Sequence, residues 1–373
     1  MLRVSVLILL FLINLIGFSQ NNIKEYDSKL AEKRMEALNK KTPLMLSYNI
    51  EVEQYIKDYI YKNREKVSEL LFLAEYYFPI FEEALDRNNL PLEIKYLPII
   101  ESELNPCAKS PMGATGMWQI MFNTAKEYNL LISSYVDERM DVEKSTEAAC
   151  KYFQKSYNRF NNWESSIASY NVGQYGVIKA MKRSGGKSNY WQYRAFLPPE
   201  TQQYIPKFIA AIYVMSYADL YGIYPTKKDN NIYAKTDTIH IHNRLNLDIL
   251  SNILEIDKNI VFKLNPSYKI RIIPELDYRD YYLRLPIKHL NYYLENQDYI
   301  FSRLKNEESE IIYPTYEELV KTIIYEVQAG DYLGKIANKY NCKTKDIMIW
   351  NDMSSTKIKL GEKLKIYVNA DYE

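Results

Sequence analysis

From about residue 40 to 224 the chain repeats its apolar residues every three or four positions and almost never every second one. That period lays an apolar stripe along one side of a helix, and it leaves no room for a sheet as the scaffold of this half. The spacing predicts helices over Val52–Tyr76, Pro79–Arg87, Val142–Phe160 and Tyr204–Leu220. Pro79 is read as the first position of a new helix, where its missing N–H costs nothing, so the first two are separated there. From Ile232 to about Ile311 the period changes. Thr236–Ile241 alternates apolar and polar, Leu247–Ile256 reads as a short helix and Tyr281–Leu285 as a second strand. From Ile323 to Val368 the order strand, helix, helix, strand recurs. The charged run Lys305–Glu310 reads as a linker or a solvated helix end.

The two later regions read as an internal repeat. LDILSNILEIDKNIVFKLN (Leu247–Asn265) aligns without gaps on LGKIANKYNCKTKDIMIWN (Leu333–Asn351). The alignment sets Leu247 on Leu333, Leu250 on Ile336, Asn252 on Asn338, Val261 on Ile347, Leu264 on Trp350 and Asn265 on Asn351. Each terminal Asn is followed by a turn and a strand, which favours common ancestry over a shared helical spacing.

Composition removes several function classes. Lys plus Arg is 48 and Asp plus Glu is 47, a net charge of +1. A phosphate backbone selects a basic surface, so no nucleic acid is expected as partner. There is no GxGxxG and no GxxxxGK[ST], so no nucleotide is expected either. Three His and three Cys in no zinc-ligand pattern give no expectation of a metal, and nothing calls for another cofactor. The 36 Tyr suit half-buried positions with a wet hydroxyl, and also sugar-binding clefts.

The chain opens Met1-Leu2-Arg3 and runs apolar from Val4 to Phe18, closing on Gly17-Phe18-Ser19. This reads as a secretory signal over residues 1–19, cleaved after Ser19. An uncleaved anchor is the alternative, but the stretch falls short of the roughly 20 residues that span a bilayer. No Cys lies near the cleavage point, so no lipid anchor is expected. The protein is expected outside the cytoplasm, in the periplasm or cell envelope, where Cys107, Cys150 and Cys342 can form disulfides.

The segment LPLEIKYLPIIESELNPCAKSPMGATGMWQIM (Leu90–Met121) carries the chemistry. An apolar helix, Leu92–Ile100, ends in Glu101, and Pro106, Pro111, Gly113 and Gly116 then force irregular backbone. A carboxyl at that place, beside a Gly-rich turn and Trp118, can be desolvated and kept protonated near neutral pH, as a general acid must be. Taken alone, Glu101 reads more readily as one of many exposed glutamates. Glu103 is read as surface.

Several motifs together resemble the lytic transglycosylases of glycoside hydrolase family 23, in the goose-lysozyme-like superfamily. ESELNPCAKSPMGATGMWQIMFNTA carries their Glu-Ser, Asn-Pro, Ala-x-Ser, Gly-Ala-x-Gly and Gln-hydrophobic-Met elements. ASYNVGQYGVIKA (Ala168–Ala180) resembles their Ala-Tyr-Asn-x-Gly motif, with Ser169 where Ala is usual, and LPPETQQYIPKFIAA (Leu197–Ala211) their Glu-Thr-x-x-Tyr segment. DERMDVEKSTEAACKYF (Asp137–Phe153) resembles the intervening helix of the membrane-bound type D subgroup. Cys107 departs from the usual residue after the Asn-Pro.

The resemblance implies a lysozyme-like helical catalytic domain acting on peptidoglycan glycan strands, with Glu101 as acid and then base. It implies that Ser110 and Gln119 hold sugars with Met121 on the cleft wall, that Tyr170 hydrogen-bonds the glutamate, that Asn171 meets a substrate amide or hydroxyl, and that Tyr204 is the Tyr of the last cleft motif. Ser102 would support the loop beside the acid. The family's reaction cleaves the bond between N-acetylmuramic acid and N-acetylglucosamine and leaves a 1,6-anhydro end. A goose-type lysozyme that uses water, and a catalytically dead glycan-binding scaffold, are the competing readings.

Tyr325–Val368 resembles the LysM module, a βααβ fold that binds N-acetylglucosamine-containing glycans. Gly330-Asp331-x-Leu333, Ile336-Ala337, Trp350-Asn351 and Ile358-x-x-Gly361-x-x-Leu364 carry the likeness. It implies a shallow groove with Gly330, Asp331, Tyr332, Asn351 and Met353 as candidates, and Trp350 in the core. The stretch 232–311 is a degenerate copy or a spacer, since it lacks the Gly-Asp and the Trp. The expected fold is therefore mainly α: a lysozyme-like domain over residues 40–225 with its motif core at 90–213, then small α+β modules at 232–311 and 323–368. Because the resemblance packs the helix bearing Cys150 near the loop bearing Cys107, a disulfide between the two is the alternative to two buried thiols, since Cys is often buried simply as a small apolar residue.

Overall fold

The computed structural model describes residues 25–226, 235–276, 279–317, 321–340 and 342–368. The expected export signal over residues 1–19 lies outside them. The first unit runs α1 (Ser28–Asn39), α2 (Ile50–Lys57), α3 (Arg64–Arg87), α4 (Leu97–Ser102), α5 (Phe122–Glu127), α6 (Val142–Phe160), α7 (Trp163–Val172), α8 (Gln174–Arg183), α9 (Tyr190–Tyr193) and α10 (Pro199–Tyr217). Asp27, Asn49, Asp141, Asn162 and Asn189 each turn a side-chain oxygen onto the first amides of the helix that follows. Those amides have no helical carbonyl to reach, so the sequence marks these starts chemically.

Several helix limits differ from the expectation: Leu92–Ile100 is a 3-10 turn over Leu92–Tyr96 that runs into α4, and the helix from Leu247 stops at Ile253 rather than Ile256. Pro79 does not start a helix but lies inside α3, and the break falls earlier, at a π-helical turn over Asp58–Lys62. A Pro inside a helix costs about 3 kcal/mol. Burial of Tyr77, Phe81, Ala84 and Leu85 on the same helix offsets that cost. Likewise α10 begins at Pro199 rather than Tyr204, because Pro is suited to a first turn. The core of this unit centres on Trp118, Tyr190, Tyr193, Tyr213, Phe81, Phe153 and Phe208, all fully buried.

The second unit comprises β1 (Thr236–Ile241), β2 (Leu245–Asn246), α11 (Leu247–Ile253), α12 (Lys258–Leu264), β3 (Ile272–Ile273), β4 (Tyr281–Pro286), α13 (Ile287–Glu295) and α14 (Gln297–Glu307). β1 pairs antiparallel with β4, Thr236 opposite Pro286 and Ile241 opposite Tyr281. The third comprises β5 (Lys321–Glu326), α15 (Leu333–Lys339), α16 (Thr344–Trp350) and β6 (Lys363–Val368), with Lys321 opposite Val368. The mainly helical reading with small βααβ modules holds. Lys305–Glu310 straddles the end of α14, the helix-end alternative.

The repeat is visible residue by residue. Every boundary of α11 and α12 falls on the matching boundary of α15 and α16 under the sequence alignment. Asn265 Nδ2 donates to Val261 O and Arg284 O, each at 2.8 Å, while its Oδ1 accepts from Arg284 N at 2.8 Å. Asn351 repeats all three bonds, to Ile347 O, Lys365 O and Lys365 N, at 2.8, 2.8 and 2.7 Å. Each Asn latches the second helix of its module to the last strand. That function explains why this pair stands out in the alignment.

Cys107 and Cys150 do not form a disulfide, and all three cysteines are free thiols. Cys150 is fully buried in the first core and packs there as a small apolar side chain. Burial pushes its thiol up to about 12, which leaves it unreactive. No helix among the described residues is long and apolar enough to cross a membrane.

Candidate active site

Glu101 sits in the last turn of α4. The chain turns away directly after it through two consecutive left-handed residues, Glu103 (φ 55°) and Leu104 (φ 59°). Leu104 is buried, while Glu103 lies at the surface and pairs with Lys66 at 2.6 Å, as expected of it. Two non-glycine residues with positive φ cost energy, and such strain collects where geometry is fixed for a task. The left-handed Gln119 (φ 47°) lies on the facing loop.

The carboxyl of Glu101 lies mostly out of water and accepts a hydrogen bond from the Tyr204 hydroxyl of α10. Burial pushes it up to about 7, and the nearby charge of Glu200 adds to that. The Tyr204 bond opposes both, because it favours the ionised form. The carboxyl is therefore poised to give and take a proton near neutrality.

Around the acid, each side chain is held by a definable bond. Ser102 Oγ donates to Met117 O at 2.7 Å and to Pro98 O at 3.1 Å, joining the end of α4 to the loop. Tyr170 lies on α7 and donates to Trp118 O at 2.7 Å. Its ring stacks on Phe153 at 5.0 Å. The sequence reading gave Tyr170 the hydrogen bond to the glutamate. In the structure Tyr204 makes that bond, because the Tyr170 hydroxyl is committed to the loop backbone. Asn171 Oδ1 accepts from Thr201 Oγ1 at 2.7 Å, which orients its amide.

On the loop, Gln119 Nε2 donates to Gly116 O at 2.8 Å and Ala108 O at 3.2 Å, so its amide oxygen is the end left for a ligand. Ser110 Oγ accepts from Ala114 N at 3.0 Å. Met121 is 43% exposed at the far end of the same loop. Trp118 is fully buried, with its Nε1 donating to Thr146 Oγ1 at 2.8 Å, so it is a core residue beneath the loop. Among the described residues no cluster of His, Cys, Asp and Glu could hold a metal.

Sequence reasoning missed Arg139. Its Nη1 donates to Gly113 O at 2.9 Å and Ile120 O at 3.4 Å, across the base of the loop. The signal was present as the charged run Asp137-Glu138-Arg139 inside an apolar stretch, since buried charges need partners.

In the third unit, Gly330 has φ +80° and opens the loop before α15. Tyr332 is 64% exposed. Asp331 accepts from Tyr325 Oη at 2.6 Å, Gln328 N at 2.9 Å and Lys335 Nζ at 3.0 Å, which holds its carboxyl down to about 2. Asp331 and Asn351 therefore spend their polar atoms on their own module, and Met353 packs against its core. Trp350 is buried, its ring meeting Tyr367 edge-on at 5.3 Å.

Comparison with known proteins agrees with this arrangement. Residues 78–192 match the family described as the transglycosylase SLT domain, residues 325–366 the LysM domain, and residues 235–300 the LysM-like domain of lytic transglycosylase MltD. The chain thus carries an SLT transglycosylase domain followed by two LysM-type domains. It is similar to the membrane-bound lytic murein transglycosylase D of Escherichia coli K12, at 28% identity over 313 residues, covering 82% of this chain and 66% of that one. A putative tributyltin chloride resistance protein of Alteromonas sp. strain M-1 is 35% identical over 117 residues, 31% of this chain and 56% of its own. The soluble lytic murein transglycosylase of Escherichia coli K12 is 33% identical over 116 residues, 30% of this chain and 18% of its own.

Proposed function

We propose that the protein is an exported peptidoglycan lytic transglycosylase that uses Glu101 alone as acid and then base. The observation that carries this reading is the Glu101 carboxyl, buried, held by Tyr204 and poised near neutrality. Glu101 protonates the oxygen bridging N-acetylmuramic acid to N-acetylglucosamine, and the C1–O bond breaks. The C6 hydroxyl of the same muramyl residue attacks C1 and returns its proton to the Glu101 carboxylate. Atoms balance without water, and the enzyme regains its starting proton. Such proton transfer is worth roughly 10²–10⁴-fold, and positioning supplies the rest. Gln119, Asn171, Ser110 and Met121 line the path of the glycan. The third unit tethers the enzyme to the same polymer through the face bearing Gly330 and Tyr332.

One observation favours a hydrolase instead: the Glu200 charge bears on Glu101, and a water-activating enzyme needs a second carboxylate. Mass spectrometry of digested peptidoglycan separates the two. Muramyl ends lighter by one water support the transglycosylase, whereas ordinary reducing ends overturn it.

A further inference from the structure

The stretch between α5 and α6 belongs to two bodies at once. Leu131, Tyr135 and Val136 are buried in the core of the second unit, not the first. Val136 bridges to Tyr268, Asp137 N donates to Ser267 O at 2.9 Å, and Lys269 N donates to Tyr135 O at 2.8 Å. Lys269 Nζ reaches Ser133 O at 2.7 Å. Glu138 is buried and accepts from Leu131 N at 2.6 Å, from Lys144 at 2.6 Å and from Arg279 of the second unit at 3.0 Å. Ser134 N donates to Glu317 O at 2.8 Å, so the segment that follows the second unit closes over the same turn.

This turn is joined directly to the loop that is bonded to Ser102, the residue after the acid. Asp137, fixed by the second unit through its amide, holds Arg139 in a two-pronged ion pair at 2.9 and 2.7 Å, with both side chains buried. The remaining arm of Arg139 ties Gly113 O to Ile120 O. Gly116 (φ +83°) lies so close to the Arg139 backbone that an added Cβ would fall 1.8 Å from Arg139 O. The loop 113–120 includes Gln119, and it receives Ser102 at Met117 O and Tyr170 at Trp118 O.

We propose that the second unit acts as a clamp that sets the geometry of the loop over Glu101, and that Arg139 is the positioning residue through which it does so. Its effect on rate rests on the reading of Glu101 as the acid. The clamp itself is a statement about loop order and stands apart from that reading. A fork-shaped guanidinium is needed, because an ammonium cannot hold a carboxylate bidentately and reach two carbonyls as well.

The full-length protein tests this through two variants, Arg139→Lys and the double variant Lys269→Ala, Arg279→Ala, which alters only the second unit. Amide hydrogen exchange at Thr115 and Ile120, which bond to each other, and at Gly116, which bonds to Ala108 O, is the first readout. Exchange there rises about tenfold or more in Arg139→Lys, and in the same direction in the double variant, while α1 and α2 keep their protection. The second readout is kcat and KM on short soluble glycans: kcat falls in both variants and KM moves less. Unchanged exchange in the double variant overturns the clamp, including where Arg139→Lys fails to fold. Raised exchange with unaltered kcat overturns the positioning role. A wild-type protein that releases nothing from peptidoglycan ends the enzymatic reading, and the exchange data still decide the clamp.

Discussion

Glu101 is costly to the fold in the form that most solutions impose on it. Its carboxyl binds a proton more tightly folded, near 7, than unfolded, where a carboxyl titrates near 4.5. Stability is therefore full below about pH 4.5, falls as pH rises through 7 and is level above that, a loss of up to about 3 kcal/mol. Glu101→Gln keeps the shape and removes the titration. It should unfold at a higher denaturant concentration than wild type at pH 8, and at a similar one at pH 4. The same variant should lose at least about a hundredfold in turnover, since an amide cannot exchange the proton. Equal denaturation midpoints at pH 8 would mean that the carboxyl is better solvated than its surroundings suggest. Tyr204→Phe works in the opposite sense. It removes the bond that favours the ionised carboxyl, so the alkaline limb of the kcat/KM profile should move to higher pH. A limb that stays in place would assign Tyr204 to packing alone.

At the scale of elements, the latch asparagines and the loop glycine carry separable predictions. Asn265→Ala removes the side-chain partner of Arg284 O and Arg284 N, while Val261 O keeps the residue 265 amide, and should destabilise the second unit by about 2 kcal/mol in chemical denaturation. Asn351→Ala should do the same to the third unit and leave the first untouched. Gly116→Ala places a methyl against the Arg139 backbone in a left-handed position, and should abolish activity even where the protein still folds. These elements also mark how far the sequence could be read. The α6 helix, the β1 strand and the repeat were legible because a cap or a strict period writes them locally. Glu101 stood out only through the motifs around it, since an apolar helix running into a carboxyl does not by itself set it apart from an exposed glutamate. The uninterrupted α3 was not, since the burial of Tyr77 and Phe81 that overrides Pro79 is a tertiary effect. Nor was the exchange of roles between Tyr170 and Tyr204. Both are tyrosines of cleft motifs, and only the path of α7 and α10 decides which hydroxyl reaches the carboxyl.

Across the whole molecule, three apolar cores are arranged so that the two smaller ones bear on the first differently. The second shares a chain segment with the helical unit. The third meets it through polar contacts: Lys155 of α6 lies between Glu127, at 2.7 Å, and Asp352, and Tyr367 Oη reaches Glu127 O at 3.4 Å. The pair that crosses to the third unit, Lys155 with the exposed Asp352, contributes little, about 0–1 kcal/mol. Removing residues 323–373 leaves the Lys155–Glu127 pair and the whole first core in place. Turnover of short soluble glycans should therefore be nearly unchanged. Retention on insoluble cell walls should fall by about a hundredfold, because a tethered binding unit raises the local concentration of substrate without entering the chemistry. A sedimentation assay beside a soluble-substrate assay separates the two effects, and an equal loss in both would show that the third unit is part of the catalytic body.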